Sequence, residues 1–311
     1  IMASRTSSSP KSSSSAWGFA SADSDPQLTF VTKSIIGTDA EVDVADTAFD
    51  PGTLTMSAYN EIVHHDTVNL WTAGALSGAG AFSTLETKAF QARVKIADSA
   101  DVETEGDVDL TANASTDIVV KSNSETYGAA TVANGVGVSD IRPLNEVVFG
   151  TDVDLIAGGD LNVSTGGDAW LRPDTHAMEV RTDNFAGSAI PINNLTANAF
   201  LLTDNVIEIG ADATLESYQN IRLVAEDTGL ATLVGRAKGV NWASSIADGI
   251  NSLSGTEELF SGTATYEAYG KVINDGELKT GAQRAKYLKL SEIVDNGSSS
   301  EVTGDFSDDA A

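Results

Sequence analysis

Phe149-Gly-Thr-Asp-Val153 is one of four versions of a single short phrase, and their spacing decides the fold. The others are Ile36-Gly-Thr-Asp-Ala40, Ile96-Ala-Asp-Ser-Ala100 and Ile209-Gly-Ala-Asp-Ala213. The anchors Ile36, Ile96, Phe149 and Ile209 lie 60, 53 and 60 residues apart. Each stands between two alternating apolar runs. Strands with one apolar face cannot bury it one repeat at a time, so a fixed period of this kind predicts stacking. The second run keeps its register: Leu110, Val163 and Leu223 each follow their anchor by 14 residues. Period two with a small residue at the end, as in Val108-x-Leu110-x-Ala112, reads as a strand with one buried face. Gly106-Asp107 and Gly159-Asp160 precede two of these runs. Gly accepts positive φ and Asp bonds a turn backbone, so each pair predicts a corner.

Composition agrees. The chain has 311 residues, 41% hydrophobic but only 6% aromatic, which suits a narrow interior of Val, Ile, Leu and Ala. Thr, Val, Ser, Asn and Gly favour strands and tight turns over helices. Four Gly/Ala-rich excursions follow the second runs, for example 72–81 and 128–137. They read either as loops on one side of the stack or as long paired strands of low bulk. Each copy is expected to span two or three circuits, which would set successive phrase aspartates roughly 10–15 Å apart. The expected fold is therefore all-β, a parallel β-helix (β-solenoid) with Gly/Ala-rich insertions. It divides into a Ser-rich arm at 1–27, a solenoid of four degenerate repeats at 28–295, and an acidic tail at 296–311.

The rhythm "apolar-x-Ile-Gly-x-Asp-Ala, turn, Gly-Asp-Val-x-Leu-x-Ala, Ala/Gly-rich excursion" resembles the repeats of large secreted bacterial adhesins. These are proteins of the filamentous-haemagglutinin and leukotoxin-like type. The resemblance covers about 28–295 and implies a right-handed parallel β-helix with no catalytic residues. Copy two departs from it, with Ala97 for Gly and Ser99 for Asp. The chain starts at Ile1 rather than Met, which predicts a processed product or a window of a longer protein.

The net charge of −27 opposes binding to nucleic acid or an anionic membrane. No 18-residue apolar run predicts a spanning segment. The chain has no Cys, which suits an extracellular or cell-surface location. Among chemical constellations, Asp227-Thr228-Gly229 matches the aspartic-protease triplet, but that chemistry needs a second carboxylate and no second triplet occurs. It reads as a turn. His64-His65-Asp66 reads as an exposed loop, because consecutive strand residues diverge and zinc needs three or four converging ligands. No catalytic residue or cofactor site emerges. Asp107-x-Asp109 and Asp152-x-Asp154 are calcium candidates, if each pair shares an outward strand face. The phrase aspartates Asp39, Asp152 and Asp212 read as turn caps.

Lys279, Arg284, Lys286 and Lys289 form a basic island expected to dock on an acidic copy of the same chain. Together these readings predict a non-enzymatic extracellular structural protein that assembles head to tail into a fibre or surface layer. An adhesin or carbohydrate-binding stalk with a cell-surface or glycan partner is the alternative. A β-helical polysaccharide lyase is a third reading.

Overall fold

A computed structural model describes residues 2–8, 17–45, 52–167, 175–227, 230–241, 256–260, 262–280, 293–295 and 302–306. The repeated phrase is a corner. Asp39, Ser99, Asp152 and Asp212 all have positive φ, 54° to 59°. Ala100 N–H donates to Ala97 C=O, and Ala213 N–H to Gly210 C=O, both at 3.3 Å. A turn closed this way with positive φ at its third residue is type II. Asp tolerates that conformation better than most residues, which explains its recurrence. Gly at the head of the phrase answers a different need. A Cβ on Gly150 would lie 2.2 Å from Asp98 Oδ1.

The corners separate five tiers of strands. The first tier is β1 (Met2–Ser8), β2 (Trp17–Ser24), β3 (Gln27–Ile36) and β4 (Glu41–Val44). The second is β5 (Leu54–Ala73), β6 (Leu76–Ile96) and β7 (Asp101–Thr104). The third is β8 (Val108–Ile141), β9 (Pro143–Phe149) and β10 (Asp154–Ala157). The fourth is β11 (Leu161–Thr165), β12 (Thr175–Ile209) and β13 (Thr214–Ser217). The fifth is β14 (Ile221–Ala225), β15 (Leu230–Asn241), β16 (Thr256–Phe260), β17 (Gly262–Asn274) and β18 (Glu277–Thr280). Short strands β19 (Ile293–Asp295) and β20 (Val302–Phe306) pair with β17. Among the described residues there is no helix. All pairings are parallel except β15–β16 and β17–β20.

Each tier pairs with the next along its length. Ile36, Ile96, Phe149, Ile209 and Asn274 are successive partners, as are Met56, Leu110, Val163 and Leu223. One copy of the phrase is therefore one tier. The expectation of two or three circuits per copy is corrected: neighbouring copies are hydrogen-bonded strands about 4.8 Å apart. The fifth tier lacks the phrase and turns instead at Asn274-Asp-Gly276.

A tier has three sides. In the third tier, 108–127 forms one long side, 130–149 folds back as the other, and β10 closes the end. Twenty strand residues span about 66 Å. The Gly/Ala-rich excursions are paired strands, not loops, and they build the fold-back. Near the short side the interior is wide and holds Met56, Leu110, Val163, Leu223, Phe149, Ile209, Val102, Leu155 and Leu215 in one cluster. All of these are buried. Toward the fold-back the space narrows. There Val68 and Leu70 meet Ala79 and Ala81. A Cβ on Gly135 would lie 2.5 Å from Thr182 Cγ2 across the interior. Side chains bond across the gap: Ser122 to Ala81 C=O, Thr182 to Thr196 C=O at 2.7 Å, and Asn184 to Asn193 at 2.7 Å. Cross-section thus sets composition, with bulky residues at the wide end and Ala, Gly and Ser at the thin one.

The core is closed in the middle tiers and open at the ends. Leu28, Phe30, Ile36 and Val42 of the first tier are only half-buried, as are Leu233, Tyr266 and Leu278 of the fifth. Within 1–27, β1 registers on Ile62–Val68 of β5, and β2 on Leu76–Ser83 of β6.

Candidate functional site

The acidic pairs are taken apart by the corners. Asp107 sits in a turn before β8, and its Oδ1 accepts from Asp160 N–H at 2.8 Å. Asp160 Oδ1 in turn accepts from the backbone and side-chain nitrogens of Asn220, at 3.0 and 2.7 Å. These carboxylates tie one tier's corner to the next. Gly106 and Gly159 do not have positive φ, contrary to expectation. Gly159 is needed for space, since a Cβ there would lie 2.0 Å from Asp107 Oδ1. Asp109 accepts from Asn162 Nδ2 at 3.0 Å. Asp152 occupies the type II turn, and Asp154 opens β10. Each calcium pair therefore has one member in a turn and one in a strand, not two on a strand face. Among the described residues no three His, Cys, Asp or Glu side chains converge as a metal site.

The short sheet instead gathers carboxylates into a column. Glu41, Asp101, Asp154, Thr214 and Glu277 are successive partners on its outer face. Asp43, Glu103, Ile156, Glu216 and Lys279 form the column beside it. Like charges directly opposite each other repel. Lys279 is exposed and pairs with Glu277 at 3.3 Å. Arg284, Lys286 and Lys289 lie outside the described residues.

His64 and His65 lie in β5, which corrects the exposed-loop expectation. They diverge as strand geometry requires: His64 is 1% exposed and points inward, while His65 faces out. Neither ring nitrogen of His64 has a hydrogen-bond partner. Burial pushes its pKa below the ordinary value, and neighbouring Asp66 opposes that without reversing it. Asp66 is itself buried and accepts from Ser83 Oγ.

Asp227 turns its carboxylate inward, and Thr228 and Gly229 of the expected turn lie outside the described residues. Its Oδ2 accepts from Thr203 at 3.0 Å and from the Tyr266 hydroxyl, and lies 3.6 Å from His176 Nε2. His176 Nδ1 is 3.2 Å from Thr116 Oγ1. Both His176 and Asp227 side chains are essentially inaccessible, so the cluster is internal wiring without an opening for a substrate.

The outer face of this same long side carries a site that sequence reading missed. Thr67, Lys121, Arg181 and Arg236 are successive partners, and so are Asn69, Asn123, Asp183 and Lys238. Beside them Trp71, Tyr127 and Phe185 make an aromatic chain, with centroids 6.0 and 5.8 Å apart. Burial pushes the Tyr127 phenol up, and Glu125, which accepts its hydrogen bond at 3.3 Å, pushes the same way. Arg181, Asp183, Phe185, Arg236 and Lys238, with Asn69, Asn123 and Glu125, line an open groove of about 530 Å³, and Lys121, Trp71 and Tyr127 stand beside it. Arg181 pairs with Glu179, while the strand neighbours of Lys121 and Arg236 on this face are Val119, Asn123, Val234 and Lys238. These cations lie 60 and 55 residues apart, so only the repeat period could have brought them together on paper.

No family model matches the chain, nor does any curated protein or solved structure. Among the described residues no helix is long and apolar enough to cross a membrane.

Proposed function

We propose that the chain is a β-solenoid segment of an extracellular fibre or surface layer, a non-enzymatic structural protein that extends by end-to-end stacking. The open ends of the core carry this reading. In the middle tiers the inward Leu, Ile and Phe are sealed by the tiers on either side, whereas Leu28, Phe30, Leu233 and Leu278 are half-buried and each has one ladder partner among the described residues. A further tier on each end would bury them, worth roughly 1.5–3 kcal/mol for each large side chain fully covered. It would also engage the free ladder edges of β3, β4 and β18, each of which has one strand neighbour among the described residues. Heterologous stacking of that kind does not close and so gives a filament. A net charge of −27 and an absence of Cys suit an exterior setting.

Electron microscopy and fibre diffraction of the purified chain test the proposal. Filaments with a meridional spacing of about 4.8 Å are expected. A population of isolated particles at high concentration, with no such spacing, would overturn it.

A further inference from the structure

We infer that the groove lined by Arg181, Arg236, Lys238 and Phe185, with Lys121, Trp71 and Tyr127 beside it, binds an extended polyuronate, a polysaccharide with one carboxylate per sugar. This site lies on the outer face of a long side and reaches Arg236 and Lys238 of the fifth tier, and the inference does not depend on filament formation.

Three observations converge. The first is cost. Lys121, Arg181 and Arg236 stand in one ladder, one per tier, with no carboxylate between them in that ladder. Like charges in this position weaken a sheet. The chain has 45 acidic residues against 18 basic ones, so a ladder of three cations runs against its composition, although Glu179 pairs with Arg181 from beside it. The second is spacing. Cations recur about every 4.8 Å across tiers. An extended pyranose chain laid across the strands advances by a similar step per sugar, so the carboxylates on its protein-facing side come within reach of cations on different tiers. A nucleic-acid strand of duplex geometry is a poorer match, since its phosphates recur about every 3.4 Å along the axis. The third is the aromatic chain that enters the groove at Phe185. Trp71, 39% exposed, continues through Tyr127 to Phe185 and offers ring faces to the C–H side of sugars. Asn69 and Asn123, bonded to each other at 2.9 Å, and Asp183 and Glu125 offer partners for hydroxyls.

Binding of hexagalacturonate to the full chain, followed by calorimetry, tests the inference, with cellohexaose and a thymidine oligonucleotide as comparisons. Hexagalacturonate should bind, and its affinity should fall as salt rises. The double variant Arg236→Ala/Lys238→Ala should weaken it by about fivefold to tenfold. Phe185→Ala should weaken it by about fivefold with the salt dependence kept. All of these side chains face outward, and unchanged circular dichroism and melting of each variant establish that the fold is intact. Lys95→Ala, on the other long side, should leave affinity unchanged. Failure of hexagalacturonate to bind, equal binding of cellohexaose or the oligonucleotide, or an equal loss in Lys95→Ala would each overturn the proposal.

Discussion

His64 offers a quantitative test of the interior. It is buried beside its ladder partner Ile118, and behind that Met178, both apolar. Its ring nitrogens find no hydrogen bond. An unsatisfied buried polar group costs about 1–3 kcal/mol. Leu is close enough in size to fill the space, so His64→Leu should raise stability by that order at pH 7.5. Acidification supplies an independent reading. The folded-state pKa of His64 is lowered, so the unfolded chain takes up this proton first as pH falls. Stability is fully present above the unfolded value of about 6.5 and declines as pH falls toward the folded value. One such group can remove at most about 1.4 kcal/mol by pH 5.5, one unit below the unfolded pKa. Urea unfolding of both proteins at pH 7.5 and 5.5 gives the comparison, and subtracting the two slopes cancels His65 and His176. A variant less stable than wild type at pH 7.5, or one that keeps the wild-type pH slope, refutes the reasoning.

Phe149→Ala empties the wide end of the interior, where Phe149 is 1% exposed, and should cost about 3–5 kcal/mol in chemical denaturation. The double change Asp101→Asn/Asp154→Asn removes two neighbours from the acidic column. It should stabilise by about 0.2–1 kcal/mol at low salt, with the gain shrinking at 1 M salt as screening replaces it. Asp152→Val places a β-branched residue at φ 58° and should lower stability by about 1–2 kcal/mol, whereas Asp152→Gly should be tolerated, a contrast thermal melts can resolve.

The corners and wide interior were legible because their residues are distinctive. Ile96, Leu110, Phe149, Val163, Ile209 and Leu223, expected to share one interior, fall in a single cluster. The size of a circuit was not legible. Beyond Val120 the inward positions become Ser and Thr, and inward Gly135 and Gly137 read as loop when they mark a close approach of two sheets. The placement of His64 was available in principle, since it shares strand parity with Ile62 and with Val68. Fifth-tier Asn274-Asp-Gly276 makes its corner with a different phrase, so period alone could not find it. The groove needed both facts at once, the period and the outward parity of Lys121, Arg181 and Arg236.

The wedge-shaped tier has a mechanical consequence. Its long dimension is about 66 Å, while two facing sheets with their outer side chains span about 20 Å. Any stack of such tiers is a ribbon rather than a cylinder. Flexural rigidity of a beam scales with the cube of its depth in the bending plane, so the two principal rigidities differ by about the square of the aspect ratio, roughly tenfold. Under a lateral load the ribbon yields across its flat faces and resists edgewise. The groove lies on one of those flat faces, where curvature alternately opens and compresses the spacing between tiers.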